Sequence, residues 1–307
     1  MKPFETYQYL KGEAMTERDK KDKDSKFWNE GKWEHFIKPL LSDSRGTFID
    51  VGCNAGVYLE LAKEYGFERV IGVEPNKGAF DRAVAYRDKH KLDYEIINKR
   101  IEDCADELPL ADVVLLANTH YYMNPEDWIE YVNKLRTRYC IIVTAKKIPN
   151  TKKAPSDEQG IKYAFREWKQ DGQILKIEEK DDLHPRDISS FCFKSDLERV
   201  PVDSLDNGNG QQKDFLKQLD ACGDPLKTDY YKRLKDYRKK TTSRQQVWSD
   251  KQLNEYMQER LDLYNEINKN GMMEPILVKE GERISDGNHR HDIIRYLGNK
   301  SIIIKRV

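Results

Sequence analysis

A carboxylate, two glycines and a second carboxylate form the densest chemical signal in the chain. They are Asp50, Gly52 and Gly56 in Thr47-Phe-Ile-Asp-Val-Gly-Cys-Asn-Ala-Gly-Val57, followed by Glu74 in Val70-Ile-Gly-Val-Glu-Pro-Asn76. Glycine lets backbone approach a ligand closely and adopt the torsions of a tight strand-to-helix turn. Free amides at the start of the helix then face that ligand. Asp50 can accept from an ammonium group or order a water, while a carboxylate at the tip of the next strand, roughly 20 residues on, accepts both hydroxyls of a ribose. Asn54 stands where a dinucleotide fingerprint needs another glycine, so a separate pyrophosphate cradle is not expected. The pattern describes a pocket for an adenosine-bearing group.

A second constellation lies near the other end, in Ile284-Ser-Asp-Gly-Asn-His-Arg-His-Asp292. Gly287 permits a turn, and Asn288 and His289 open a helix whose unsatisfied amides attract an anion. Arg290 adds a planar fork suited to phosphate. Other candidates sit at predicted strand ends. His120, in Ala117-Asn-Thr-His-Tyr-Tyr122, can act as a base on a hydroxyl or amine or can simply pack beside the tyrosines. His184 and Arg186 lie in the segment Asp181–Asp187, which reads either as a solvated turn or as a reach toward an anionic substrate group. Lys146, Lys147, Lys152 and Lys153 would add charge to that rim.

The elements that must position these residues follow from periodicity. Strands are expected at 48–51, 70–73, 94–97, 113–117 and 140–144, and helices at 57–65, 77–90 and 125–135. Such alternation predicts a parallel sheet covered by helices. Trp33, Phe36, Ile37 and Leu40 recur at helical spacing, so 27–41 should pack as a helix ahead of the first strand. Residues 1–26 read as a flexible polar arm. Beyond a proline- and lysine-bearing loop at 146–160, a helix is expected at 161–168 and a strand pair at 174–178 and 188–193. A further strand is expected at 200–205, with helices near 213–219, 229–238, 247–268 and 289–297 and short strands at 275–278, 283–285 and 301–305. The expected division is an arm over 1–26, one domain over 27–195 and a second over 196–307.

Lys+Arg and Asp+Glu balance at 54 each in 307 residues, so no global field draws the chain to nucleic acid or membrane. No apolar run approaches the ~18 residues of a membrane span. The five scattered cysteines suggest neither a disulfide framework nor a zinc site, and a cytoplasmic location is the simple expectation.

The segment Asp50–Gly56 with Val70–Asn76 resembles the class I S-adenosylmethionine-dependent methyltransferases, in particular the FkbM-like group, over about residues 30–195. The resemblance implies a Rossmann-like parallel sheet closed by an antiparallel hairpin, with S-adenosylmethionine as cofactor. It further implies that Asp50, Gly52 and Gly56 line the methionine and ribose, that Glu74 binds the ribose, that Ile101 and Glu102 flank the adenine, and that Asn118 faces the methyl group. Glu102 can equally be a helix cap.

Asn270–Val278 and Asp286–Asp292 resemble the ParB/sulfiredoxin fold over about 196–307. That resemblance implies a smaller α+β domain binding ATP or CTP with magnesium through Gly287, Asn288, His289 and Arg290. Asn288 occupies the place of the sulfiredoxin cysteine, which disfavours sulfinic-acid repair and makes Asp286 a candidate acid or metal ligand, as in the kinase-like members. No other metal ligands are expected.

The function expected first is methyl transfer to a small anionic or hydroxylated substrate, joined to a nucleotide-binding domain with kinase or NTPase activity. The alternatives are a kinase or NTPase with a cofactor-sensing front domain, and a single-stranded nucleic-acid-associated protein using the basic, tyrosine-bearing stretch 230–244.

Overall fold

Thr47–Val51, Arg69–Val73 and Ala111–Ala117 are nearly continuous apolar runs, and each becomes a strand (β1, β2 and β4) buried along most of its length. Parallel strands covered on both faces require that composition. The computed structural model describes residues 8–13, 29–41, 45–119, 134–145, 175–181, 184–205, 212–240 and 248–307. The chain divides into two units, Met1–Asp196 and Leu197–Val307.

In the first unit the sheet order is β3-β2-β1-β4-β5-β7-β6, where β3 is Glu95–Ile97, β5 Thr137–Ala145, β6 Leu175–Asp181 and β7 His184–Lys194. Strands β1 to β5 pair in parallel, with Ile49 opposite both Ile71 and Val114. Strand β7 inserts antiparallel between β5 and β6 and closes the sheet with a hairpin. Because β1 lies between β2 and β4, the chain reverses direction across the sheet there. The carboxyl ends of those strands flank the crevice where open α/β sheets bind ligands.

Side chains alternate across the sheet. Phe48, Val113, Leu115, Ile141 and Val143 pack with Trp33, Phe36 and Tyr58 on one face. Ile49, Ile71, Leu116, Ile142 and Phe193 form the core on the other. Helix α2, Val57–Tyr65, starts and ends on glycines in the left-handed region. Helix α3, Lys77–His90, begins where Asn76 accepts from the Ala79 amide.

Several expectations change. The segment before β1 is helical as Asn29–Lys32 (α1), then passes through a π turn, Trp33–Ile37, and a 3-10 turn, Lys38–Leu40. Pro39 offers no amide to continue an α-helical ladder. Its four apolar residues are buried as the spacing predicts. Residues 8–13 are not a loose arm. Leu10 is fully buried in the same core as Trp33 and Tyr58, because a leucine that finds an apolar face gains more than it loses in freedom. The helix expected at 161–168, and all but the last two residues of the one at 125–135, lie outside the described residues.

The second unit has a four-stranded sheet ordered β10-β9-β11-β8. Strand β8 is Leu197–Pro201, β9 Ile276–Lys279, β10 Arg283–Asp286 and β11 Ser301–Arg306. The strand expected at 200–205 instead ends at Pro201 and turns through Val202–Ser204, consistent with proline terminating ladder pairing. Helices α4 (Gln212–Cys222), α5 (Asp229–Lys240), α6 (Asp250–Asn270) and α7 (Asn288–Tyr296) complete the unit. A capping box of Ser249 and Gln252 starts α6. Asp220 of α4 accepts from the hydroxyls of Tyr264 in α6 and Tyr296 in α7.

One buried ion pair aligns the first unit's central strands. Asp112 is fully buried in β4. It accepts from the Thr47 amide of β1 at 2.9 Å and from Arg138 Nη1 of β5 at 2.9 Å. Asp112→Ala should strand both donors and cost about 3–5 kcal/mol in denaturant unfolding. Asp112→Asn, which keeps an acceptor, should cost less. Alanine within about 0.5 kcal/mol of wild type would contradict this role.

Candidate functional site

At the end of β1 the backbone enters the left-handed region three times, at Gly52 (φ 76), Asn54 (φ 51) and Gly56 (φ 90). The tight turn is held from β2. Gly52 N donates to Val73 O at 2.7 Å. Glu74 Oε2 accepts from the Asn54 amide at 2.8 Å, and Oε1 accepts from the Asn76 amide at 2.7 Å. Asn54 tolerates its torsion partly because its own Oδ1 accepts from Ala55 N at 2.9 Å. Glutamate thus clamps the turn before it touches any ligand. Each carboxylate oxygen keeps a second lone pair, so two acceptor positions remain for a diol. Burial raises the Glu74 carboxyl, while the two backbone donors oppose that rise.

Asp50 differs. It is 1 % exposed, and its Oδ2 has no hydrogen-bond partner. Burial, with Glu74 nearby, pushes its carboxyl well above the usual range. A buried carboxylate without a donor is costly alone and complementary to a cation. The residues therefore fit a cofactor with a diol and a cationic group, judged by one clamped and one unsatisfied carboxylate at the same turn.

The glycines serve more than ligand approach. A Cβ on Gly52 would lie 2.6 Å from the Thr119 side chain, so its smallness lets the loop after β4 close onto the turn. A Cβ on Gly56 would point toward Tyr94, Leu59 and Ala83, the packing beneath α2. Gly72, not a sequence candidate, leaves room for Cys53 Sγ, which a Cβ would meet at 2.6 Å.

Asn118 follows β4 with φ 58 and donates its amide to Val143 O at 2.9 Å. Ile101 and Glu102 lie on a 3-10 turn, Ile101–Asp103, with Ile101 buried and Glu102 3.7 Å from Arg100. Asn98, unremarkable in the sequence, donates to Glu74 O at 2.7 Å. Gln8, equally unsignalled, accepts from Val57 N at 3.3 Å. His120 lies outside the described residues, as do Lys146, Lys147, Lys152 and Lys153. His184 and Arg186 fall on β7, while their side chains lie outside the described ones.

In the second unit Gly287 (φ 94) caps α7, with Asn288 its first residue. Arg290 and Asp286, read separately as phosphate fork and acid, pair with each other at 3.0 Å. His289 faces α6: Arg260 Nη1 lies 3.1 Å and Tyr256 Oη 3.4 Å from its Nε2. An arginine can only donate, so Nε2 accepts and the imidazole is neutral. Arg260 is itself buried, its guanidinium 5.0 Å from the Phe215 ring and 5.2 Å from that of Tyr230. In the basic stretch, Lys232 pairs with Asp229 at 2.9 Å, Lys235 with Asp250 at 3.1 Å, and Arg238 sits 4.1 Å from the Trp248 ring. Residues 241–244 lie outside the described ones. Among the described residues no cluster of three or more His, Cys, Asp or Glu could hold a metal, and no helix is long and apolar enough to cross a membrane.

Residues 48–138 match the family model described as a methyltransferase domain. No curated protein matches the chain. Among solved structures, the bifunctional kinase-methyltransferase WbdD is similar at 14% identity and TM-score 0.48, over 66% of this chain and 46% of that one. The chain therefore spans less than half of that relative. A SAM dependent methyltransferase from Archaeoglobus fulgidus is similar at 18% identity and TM-score 0.44, over 58% of this chain and 98% of that one. Magnesium protoporphyrin IX methyltransferase from Synechocystis PCC 6803, with bound SAM, is similar at 14% identity and TM-score 0.38, over 48% and 69%. Likenesses at this level assign neither substrate nor partner to this chain.

Two pH effects follow. A carboxyl raised by folding favours the folded state at low pH, and that contribution is lost as pH rises through its folded value. Without cofactor, Asp50→Asn should therefore be more thermostable than wild type at pH 7, by about 2–8 °C (about 1–2 kcal/mol). The gap should close as pH falls toward 4; a gap independent of pH would contradict the buried charge. For His289, burial first and Arg260 second lower the imidazole to about 4. Its contribution to folding is full above the ordinary 6.5 and is lost as pH falls toward 4. Arg260→Met should move the NMR titration of His289 upward, and a wild-type midpoint near the ordinary value would contradict the assignment.

Proposed function

We propose that the protein is an S-adenosylmethionine-dependent methyltransferase acting on a small anionic or hydroxylated substrate, joined to a ParB/sulfiredoxin-like nucleotide- or phosphate-binding domain. The carrying observation is the Glu74 clamp: a ribose-competent carboxylate held at the tip of β2, against a left-handed turn, beside the reversal in strand order. When bound, the cofactor supplies an electrophilic methyl on a sulfonium. In this reading Asp50, Gly52 and Gly56 line the methionine and ribose, with Asp50 meeting the cationic end. Ile101 and Glu102 flank the adenine, and Asn118 faces the methyl group. His120 takes the acceptor's proton, while His184 and Arg186 hold the substrate's anionic group. The FkbM-like group is the proposed subtype.

In the second domain Gly287, Asn288, His289 and Arg290 receive phosphate of ATP or CTP with magnesium, and Asp286 is the acid or metal ligand. Arg290 would exchange its Asp286 partner for phosphate. Support comes from the left-handed Gly287 at the head of α7 and the close Arg290–Asp286 geometry. Kinase or NTPase activity on the same substrate is the proposed role of the fusion.

Calorimetry with S-adenosylmethionine, and separately with ATP or CTP and magnesium, tests both halves. Glu74→Ala should weaken cofactor binding about 10- to 100-fold and leave nucleotide binding unchanged; Arg290→Ala should do the reverse. Wild-type protein that binds no S-adenosylmethionine would end the methyltransferase reading. Nucleotide binding indifferent to Arg290→Ala would end the second assignment.

A further inference from the structure

Helix α2 opens directly from the glycine turn, and its first amide is already occupied. Val57 N donates to Oε1 of Gln8, a residue 49 positions away, at 3.3 Å. Gln8 is brought there by anchors further along the same segment. Leu10 is fully buried in the core. Tyr86 of α3 donates to Lys11 O at 2.9 Å, and Arg82 of α3 pairs with Glu13 at 2.7 Å. Asn29 donates to Tyr9 O at 3.3 Å. These anchors tie residues 9–13 to α1, α3 and the core, and they leave Gln8 at the mouth of the turn, bonded to Val57 N among the described residues. A glutamine amide is bifunctional: with Oε1 accepting from the helix, its Nε2 carries two donors. Those donors suit a carboxylate placed beside the head of α2.

We propose that residues 8–13 are a strap across the cofactor turn, and that Gln8 bridges the Val57 amide to the carboxylate at the amino-acid end of S-adenosylmethionine. The assignment rests on the reading of 50–56 as the cofactor segment. It makes Gln8 a specificity residue, separating ligands that carry the amino-acid end from those that carry only the adenosine and thioether. The bond is charge-assisted on the ligand side, so its loss is measurable as affinity.

Binding of S-adenosylmethionine, S-adenosylhomocysteine and 5′-methylthioadenosine to the full chain discriminates the possibilities, since only the last lacks the amino-acid end. Gln8→Ala should weaken the first two about tenfold, the loss of one such bond, and leave methylthioadenosine unchanged. Gln8→Glu, which turns donors into a carboxylate, should weaken the first two further. Hydrogen exchange over 8–13 should slow on adding S-adenosylmethionine to wild type, and not on adding methylthioadenosine. A strap that only supports the domain would instead lower all three affinities together, or lower thermostability alone, and either result overturns the proposal. Wild-type protein that binds none of the three ligands takes down the cofactor reading as well.

Discussion

The first unit depends on how one carboxylate is satisfied. Glu74 ends β2 with both oxygens engaged by backbone amides, one from the turn after β1 and one from the head of α3. The bond to the turn falls on Asn54, the one left-handed residue of the three that carries a side chain, while Gly52 and Gly56 take that torsion freely. A carboxylate can engage both amides because it accepts along four directions, so two bonds to backbone still leave two for a ligand. The same side chain is therefore structural support and candidate ribose acceptor, and the strand order places it at the reversal where a crevice must form.

Two other buried acids show how satisfaction separates structure from site. Asp112 has a backbone amide and an arginine, and it joins the starts of β1, β4 and β5. Asp50 lies in the adjoining strand, equally buried, with one oxygen unpartnered. The first arrangement is complete within the chain. The second is stable only to the extent that packing elsewhere offsets it, which is the pattern expected where a ligand supplies the missing charge.

The second unit applies a different electrostatic device. His289 lies in the first turn of α7 beside Arg260, and a guanidinium at hydrogen-bond distance leaves the imidazole no choice but to accept. Aromatic rings around Arg260 keep that charge buried. His289 therefore brings no positive charge of its own to the helix head, where the sequence places it. What charge α7 offers an anion comes from Arg290, currently on Asp286, and from the helix amides.

Local pattern was sufficient for the parallel strands, the glycine turn, Glu74 at a strand tip and Gly287 before a helix, since each is written in neighbouring residue types with a period or a torsional demand. The sequence alone also showed the buried stripe Trp33, Phe36, Ile37 and Leu40, though not the π and 3-10 turns that carry it. Only the tertiary structure decided that Gln8 reaches Val57, that Asn98 and two amides hold Glu74, that Thr119 fills the space at Gly52, and that Arg260 faces His289. Apart from the Asn76 amide, two residues from Glu74, these contacts have no local signature, because they join residues 20 or more positions apart that only the sheet and helices bring together. Burial then raises the Asp50 and Glu74 carboxyls and lowers the His289 imidazole, and burial is a property of the fold as a whole.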